Sequence, residues 1–296
     1  MELFCTFVAC HATACHKPFR FTNVPVFIGF FLLNIPFIAA MFKYTYFLNM
    51  KSFYDGLASD YDTMTDFENR FEREESVFRK IVERYSIQTA LDAGAGTGFH
   101  SLLLAGLGIH VTAIDISPAM LRQLQHNASR MKLPINTVAA NFQNLSDVLD
   151  TTFDAVFCLG NSLVHLLTDE DLEKTLSGFY SLLKPGGVLI VQILNYDRIM
   201  KERKRVQNIK KKGNTTFIRF YDYCNEKLFF NILKVTDTDD GVEHTLNTVE
   251  LRPLHKEELT GYLKEAGFSS IEHYGSLQFQ AYDDSESPNL VTVARR

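Results

Sequence analysis

The sequence predicts a doubly wound α/β fold with a seven-stranded sheet, interrupted after the fifth strand by an antiparallel β insertion. Three observations predict it. From Thr89 onward, short apolar runs alternate with segments of helical period, the pattern of a parallel sheet covered by helices. The first run ends in a glycine-rich turn, Leu91-Asp92-Ala93-Gly94-Ala95-Gly96-Thr97-Gly98. After Lys212 the pattern changes to long β-rich stretches with no helix between them.

The elements follow in order. Residues 89–93 form the first strand and 110–114 the second, which ends in Asp115. Pro118 then opens a helix at a favoured early position, and Leu121, Leu124, Ala128 and Met131 recur at three- and four-residue steps, so its apolar face lies on the sheet. Residues 136–140 read as the third strand and 153–159 as the fourth, the latter almost continuously apolar, as suits a strand covered on both faces. Thr168 with Asp171 resembles a helix cap and is followed by Leu172, Leu176, Phe179 and Leu183 at helical spacing. Lys184-Pro185-Gly186-Gly187 ends that helix, and residues 188–194 follow as the fifth strand. The insertion spans about 213–252, with strands at 216–223, 227–236 and 242–251 and a turn at 237–241. A helix at 254–266, closed by Gly267, precedes two last strands at 269–273 and 290–294.

Of 296 residues, 46% are hydrophobic, enough for one large core and a smaller appendage. The formal net charge of −5 disfavours broad attraction to nucleic acid, and no nucleic-acid partner is expected. Three of five cysteines (Cys5, Cys10, Cys15) fall in the first fifteen residues, which makes no disulfide framework and fits a reducing, cytoplasmic compartment. The same cysteines with His11 and His16 match no closed zinc spacing, so no metal is expected.

Residues 1–49 stand apart from the domain that begins at Met50. Residues 24–42 carry no charge, and a helix of that length rising 1.5 Å per residue would just cross a bilayer core of roughly 30 Å. Pro25, Asn34 and Pro36 interrupt the run, and Lys17, Arg20, Lys43 and Lys51 flank both ends, so the positive-inside rule assigns no orientation. Three readings stay open: an extension upstream of the true start, a membrane anchor holding the domain in the cytoplasm, and a targeting segment.

Glycines in the turn at 94–98 let the backbone bend tightly and let a ligand approach main-chain atoms, while the next helix offers free N–H groups. The order is G-x-G-x-G, and Phe99 stands where a dinucleotide fingerprint needs its last glycine, which argues against a pyrophosphate on this turn. Asp115 ends the second strand seventeen residues after Gly98, where a carboxylate can accept both ribose hydroxyls of an adenosine. Its alternative is a helix-capping role.

Together these residues resemble the class I S-adenosylmethionine-dependent methyltransferases over most of residues 50–296, which implies the Rossmann-like sheet of that family and S-adenosylmethionine as cofactor. The resemblance implies that Asp92, Gly94, Ala95, Gly96, Thr97 and Gly98 hold the methionine part and Asp115 the ribose. Ile116, Met120 and Leu159 would flank the cofactor, Asn141 would read the adenine amino edge, and Phe142 would be a ring neighbour. Leu-Lys-Pro-Gly-Gly at 183–187 is a further frequent feature of the family. A closer similarity, to glycine N-methyltransferase and its bacterial relatives, lies in Cys158-Leu159-Gly160-Asn161-Ser162 with His165-Leu166, and in Asn195-Tyr196-Asp197. It implies that Tyr54-Asp55 and Tyr61-Asp62 belong to a segment closing over the cofactor. One departure matters: the arginine those enzymes place before Asn-Tyr-Asp to hold a substrate carboxylate is Leu194 here.

A sulfonium methyl is already electrophilic, so the protein chiefly aligns the reactants and excludes water. His165 is the candidate titratable group, and Asn161 and Tyr196 are candidates for orienting the acceptor, each with a packing role as its alternative. Residues 201–212 hold seven basic side chains and one acidic one, and read as a solvated helix face before the insertion. No Asn/Asp-Pro-Pro-Tyr motif follows the fourth strand, which lowers a nucleic-acid acceptor further. The expected activity is methyl transfer to a small molecule, nitrogen before oxygen. The alternatives are a membrane-associated methyltransferase of a lipid or quinone, and a non-catalytic cofactor-binding regulator.

Overall fold

A computed structural model describes residues 35–225 and 227–296. The cysteine and histidine cluster at 5–16, and the part of the apolar run at 24–34, lie outside the described residues. Among the described residues no helix is long and apolar enough to cross a membrane. The body that carries the site is the compact unit Phe47–Arg296.

Two helices not assigned from the sequence precede the sheet: α1 at Ile35–Thr65 and α2 at Phe67–Tyr85. Asp66, in the left-handed region at φ 62°, breaks the chain between them. α2 is amphipathic and buries Phe67, Val77, Phe78 and Ile81 against the core.

The sheet then builds as expected, through β1 (Thr89–Ala93), α3 (Phe99–Gly106), β2 (His110–Asp115), α4 (Pro118–Met131), β3 (Asn136–Ala139), β4 (Phe153–Cys158), α5 (Asp169–Leu182) and β5 (Leu183–Leu194). Both helix starts follow the chemistry read from the sequence. The Ser117 hydroxyl accepts from the Met120 amide ahead of Pro118, and the Thr168 hydroxyl accepts from the Asp171 amide. The stop after α5 is less sharp than expected, because residues 183–187 already belong to β5. The register nevertheless slips there, from Phe153↔Leu183 to Ala155↔Val188, so regular pairing resumes at Val188.

After β5 come α6 (Tyr196–Glu202), β6 (Val206–Lys212), β7 (Thr215–Cys224), β8 (Lys227–Thr238), β9 (Gly241–Leu251), α7 (Lys256–Glu265), β10 (Ser269–Tyr274) and β11 (Asn289–Arg295). The main sheet has the order β10-β11-β5-β4-β1-β2-β3, and β11 runs antiparallel to both β5 and β10. The order reverses between β1 and β4, which start neighbouring halves of the sheet, and a crevice opens beyond their carboxyl ends. Ala90, Leu91, Val156, Phe157 and Ile190 are fully buried in the central strands. Phe78, Leu102 and Leu124 cover one side of the sheet, and α5 contributes Leu172, Leu176 and Phe179 to the core.

β6, β7, β8 and β9 form a separate antiparallel sheet in chain order. The basic run at 201–212 is therefore not one helix face. Lys201 and Glu202 end α6, Arg203 turns at φ 50°, and Lys210, Lys211 and Lys212 lie on the edge strand β6. Lysines suit an edge strand, where their charge discourages pairing with another chain. The insertion accordingly starts at Val206 rather than near residue 213.

Candidate active site

The glycine turn sits where β1 ends. The amides of Gly94 and Ala95 both donate to the Ile114 carbonyl at 2.9 Å, which curls the chain back over β2. Gly94, at φ 79°, tolerates no side chain, since a Cβ there would lie 2.5 Å from Ser162 Oγ and 3.2 Å from Phe142 Cζ. Gly98, at φ 91°, is needed for a different reason: a Cβ there would lie 2.5 Å from Leu124 Cγ, so it seats the turn on α4.

Gly94, Ala95, Gly96 and Thr97 line a cavity that continues past Asp115, Ile116 and Met120 at the end of β2 and reaches Asn141 and Phe142 after β3. Leu159, after β4, closes another side. Asp115 receives the Gly96 amide on one oxygen and the Ser117 amide on the other, each at 2.8 Å. Burial pushes its carboxyl up to about 6 against the pull of those amides. Asp92 and Gly98 are not among the lining residues. The Asp92 carboxylate is turned into the core, where Ser101 Oγ donates to it at 2.5 Å and burial raises it to about 6. Asp92 is thus a positioning residue that ties the turn to α3.

The fit to an adenosine-bearing cofactor rests on three observations. At Gly96, φ 56°, the turn faces open space, with no atom within 4 Å of where a Cβ would stand, and Gly96 lines the cavity. The Asp115 carboxylate lines the cavity beside it. Beyond β3, Gln143 lines the same cavity and its buried Nε2 has no hydrogen-bond partner, which leaves a donor available at the end assigned to adenine. Gln143 was missed from the sequence although it follows the Asn141-Phe142 pair directly.

α1 covers this cavity. Tyr54 and Tyr61 line it, and the carboxylates beside them act as clasps. Ser117 Oγ donates to Asp55 at 2.5 Å, and Asn127 Nδ2 donates to Asp62 at 2.8 Å and to the Thr97 carbonyl at 3.1 Å. Asp55 also pairs with Lys51 at 2.6 Å, a contact that helps hold its carboxyl below the usual range against a desolvation that acts the other way. From the following helix Arg70 reaches the same cavity; its guanidinium lies 4.0 Å from the Phe99 ring centroid and pairs with Glu74 at 2.9 Å. Phe99, the residue that replaces a dinucleotide glycine, packs edge-on against Phe67 and Phe71 and so anchors α2.

A second cavity opens beyond the first. Tyr54, Tyr61, Thr65, Gly160, His165 and Gln192 line both. Its far wall comes from the four-stranded sheet, with Arg219 and Tyr221 of β7 and Phe230 and Ile232 of β8. That sheet is held against α1 by Lys234, which pairs with Asp60 at 2.6 Å, and by the 6.3 Å contact between the Phe53 and Phe230 rings.

The candidate residues for the reaction divide here. His165 lies at the junction, 7% exposed, with Nε2 2.7 Å from the Tyr54 hydroxyl. Burial pushes its imidazole down to about 4, so it is uncharged at neutral pH. Asn161 lines the second cavity in a left-handed conformation, φ 75°, held by the Leu194 amide donating to its Oδ1 at 3.0 Å. Tyr196 does not line either cavity. It is buried behind Asn161, which donates to its hydroxyl at 2.9 Å, so it positions Asn161 rather than touching an acceptor. The rest of the Asn195-Tyr196-Asp197 triplet is structural: Asn195 caps α6 and holds the carbonyls of Asp284 and Ser287, and Asp197 meets His255 Nδ1 at 2.7 Å.

Known proteins resemble this chain in sequence and fold. A family described as "Methyltransferase domain" matches residues 90–187. The glycine/sarcosine N-methyltransferase of Aphanothece halophytica is 32% identical over 250 residues, which cover 82% of this chain and 89% of that protein. That of Halorhodospira halochloris is 30% identical over 254 residues, covering 83% and 89%. Among solved structures, an S-adenosylmethionine-dependent methyltransferase from Clostridium acetobutylicum has the same fold, with a TM-score of 0.70 at 16% identity over 82% of this chain and 98% of that one. The cofactor of this family is S-adenosylmethionine, and the open turn, the Asp115 carboxylate and the Gln143 donor described above fit it. Identity of 30–32% over 89% of each relative's length decides the matter: the chain belongs to the class I S-adenosylmethionine-dependent methyltransferases, beside the glycine/sarcosine N-methyltransferases.

Proposed function

We propose that this enzyme methylates the nitrogen of a small-molecule amine. The observation that carries the reading is the second cavity, which meets the cofactor cavity at Tyr54, Tyr61, Gly160 and His165 and is backed by the four-stranded sheet. A pocket walled in this way suits a small acceptor better than a polymer strand. The relatives named above act on glycine and sarcosine nitrogen, which supports the same atom here.

When bound, S-adenosylmethionine supplies a sulfonium methyl, which a neutral amine nitrogen takes while the carbon–sulfur bond leaves its electron pair on sulfur. An ammonium has no lone pair to offer, so the chain has to favour the neutral amine. Burial in a cavity bordered by Phe53, Leu57 and Phe230 disfavours the charged form. The uncharged imidazole of His165, bridged to the Tyr54 hydroxyl, offers a neutral hydrogen-bond partner for the nitrogen; held near 4, it is too weak a base to keep the shed proton, which leaves to solvent. Asn161, fixed by Leu194 N and Tyr196, orients the acceptor, and Tyr54 and Tyr61 shield the junction from water.

The test has two parts. Titration calorimetry is expected to show binding of S-adenosylmethionine and not of NAD. A panel of small primary and secondary amines, with matched alcohols, is then assayed for release of S-adenosylhomocysteine. Turnover with amines supports the reading, whereas turnover confined to alcohols, or none with any small molecule despite tight cofactor binding, overturns it.

A further inference from the structure

The second cavity has a charge that the proposed chemistry does not use. Among its lining residues Arg219 is the one formally charged side chain, given that His165 is neutral. It sits in the middle of β7, opposite Asn208 of β6 and Ile232 of β8, and Asn208 and Gln207 line the cavity with it. Other arginines near this region are matched to carboxylates: Arg70 to Glu74 and Arg205 to Asp222. Among the described residues no aspartate or glutamate pairs with Arg219; the titratable groups nearest it, Tyr61 and Tyr221, are held neutral by burial. A half-buried guanidinium without a counter-ion is partly desolvated at a cost, which an anion accepting its paired N–H donors would offset. Leu194, at the end of β5, borders the same cavity and offers no charge, so no second cation there competes for that anion.

Building on the amine reading above, we propose that Arg219 binds a carboxylate carried by the acceptor, so that the substrate is an amine that is also a carboxylic acid. The amine then lies at the Tyr54, Asn161 and His165 end and the carboxylate at the β7 end, where the Asn208 and Gln207 side chains line the cavity beside the guanidinium. The arrangement has a second effect. Once neutralised by the carboxylate, the guanidinium no longer repels an incoming cation. An amine without a carboxylate instead meets an unneutralised, half-buried positive charge, which works against its entry as an ammonium. Selectivity therefore comes from repulsion as well as from attraction.

The experiment uses the full chain and Arg219→Gln and Arg219→Lys variants. Steady-state methylation is measured on matched pairs, each an α-, β- or γ-amino acid and its carboxamide. Separately, acetate and propionate are titrated into protein saturated with S-adenosylhomocysteine, with thermal shift as the readout. The native chain is expected to prefer the acids by a hundredfold or more in kcat/KM, on the order of what a paired charged hydrogen bond contributes. Arg219→Gln should raise KM for the acids at least tenfold, remove the preference and abolish the carboxylate-dependent shift, while cofactor affinity stays unchanged. Arg219→Lys should recover part of the preference. Equal turnover of acids and carboxamides by the native chain, or a preference that survives in Arg219→Gln, overturns the assignment while leaving amine methylation standing. Carboxylate binding that depends on Arg219 with no amine methylated would overturn the amine reading and leave the anion site.

Discussion

At Asp115 one carboxylate serves two purposes. Its oxygens already take the amides of Gly96 and Ser117 at 2.8 Å each, which fixes the side chain, and we propose that the remaining lone pairs, which face the cavity, accept the ribose hydroxyls of the cofactor. Because burial raises this carboxyl to about 6, it gains a proton as the pH falls through that value and then loses acceptor capacity. Cofactor affinity should therefore fall as the pH drops from 7 to 5. Asp115→Asn should weaken binding about tenfold or more at pH 7.5, since charged hydrogen bonds contribute roughly 1.5–3 kcal/mol, and should flatten that pH dependence. Calorimetry across the range checks both; an unchanged profile in the variant would assign the titration elsewhere. His165 is the other residue whose environment decides its state. Its imidazole, at about 4, stays neutral through the range in which Asp115 titrates, so loss of activity between pH 7 and 5 should follow cofactor binding rather than kcat. Replacing His165 by Leu should lower kcat roughly tenfold, the loss of an orienting hydrogen bond worth about 1–1.5 kcal/mol. Steady-state rates at saturating cofactor measure this, and an unaltered kcat would reduce His165 to packing. Asp115 and the glycine turn were legible in the sequence because each is a local pattern at a strand end. The roles of Asp92 and Tyr196 were not, because which way a side chain faces at a strand end depends on what packs behind it. Asp92 faces Ser101, and Tyr196 stands behind Asn161.

α1 shows how one element links the two sheets. Along its exposed and buried faces it offers Asp55 to Ser117 and Asp62 to Asn127 on the cofactor side, and Asp60 to Lys234 of β8 on the acceptor side. Between these clasps Tyr54 and Tyr61 face both cavities. A helix fastened in this way covers the cofactor cavity without a covalent link. Asp55→Ala removes the 2.5 Å bond to Ser117 Oγ without touching the cavity lining, so it should raise the cofactor dissociation rate several-fold while far-ultraviolet circular dichroism stays native. Stopped-flow release of a fluorescent cofactor analogue reads this out, and a native off-rate would show that the clasp does not hold the cover. The Tyr-Asp pairs were visible in the sequence as a resemblance. Their helical setting was overlooked although Met50, Phe53, Leu57, Tyr61 and Met64 recur at three- and four-residue steps, and four of those five are buried. The basic run at 201–212 was misread for a different reason: an exposed edge strand has no buried face to impose alternation, so the pattern carried charge but no period.

For the molecule as a whole, the compact unit begins at Phe47, and Met50, Phe53 and Leu57 of α1 are buried within it. A chain shortened to residues 47–296 should therefore fold and bind S-adenosylmethionine with affinity within about twofold of the full chain. Calorimetry on the purified fragment tests this, and a tenfold loss would give residues 1–46 a part in the site. By itself the sequence determined the doubly wound sheet, the antiparallel insertion and the nature of the cofactor, because strand–helix alternation, the glycine turn and the terminal Asp115 are contiguous features whose geometry follows from backbone sterics and local hydrogen bonding. Only the tertiary structure decided the acceptor side. Arg219 lies fifty-eight residues beyond Asn161, on a strand whose register against β6 and β8 sets which side chains point inward. The chain shows Arg219 alternating with Phe217 and Tyr221 on one face of its strand, but not what that face packs against. It becomes a half-buried cation lining the cavity beside Tyr61 only when the second sheet packs against α1, and that partial desolvation is what gives an ordinary arginine the power to select a substrate.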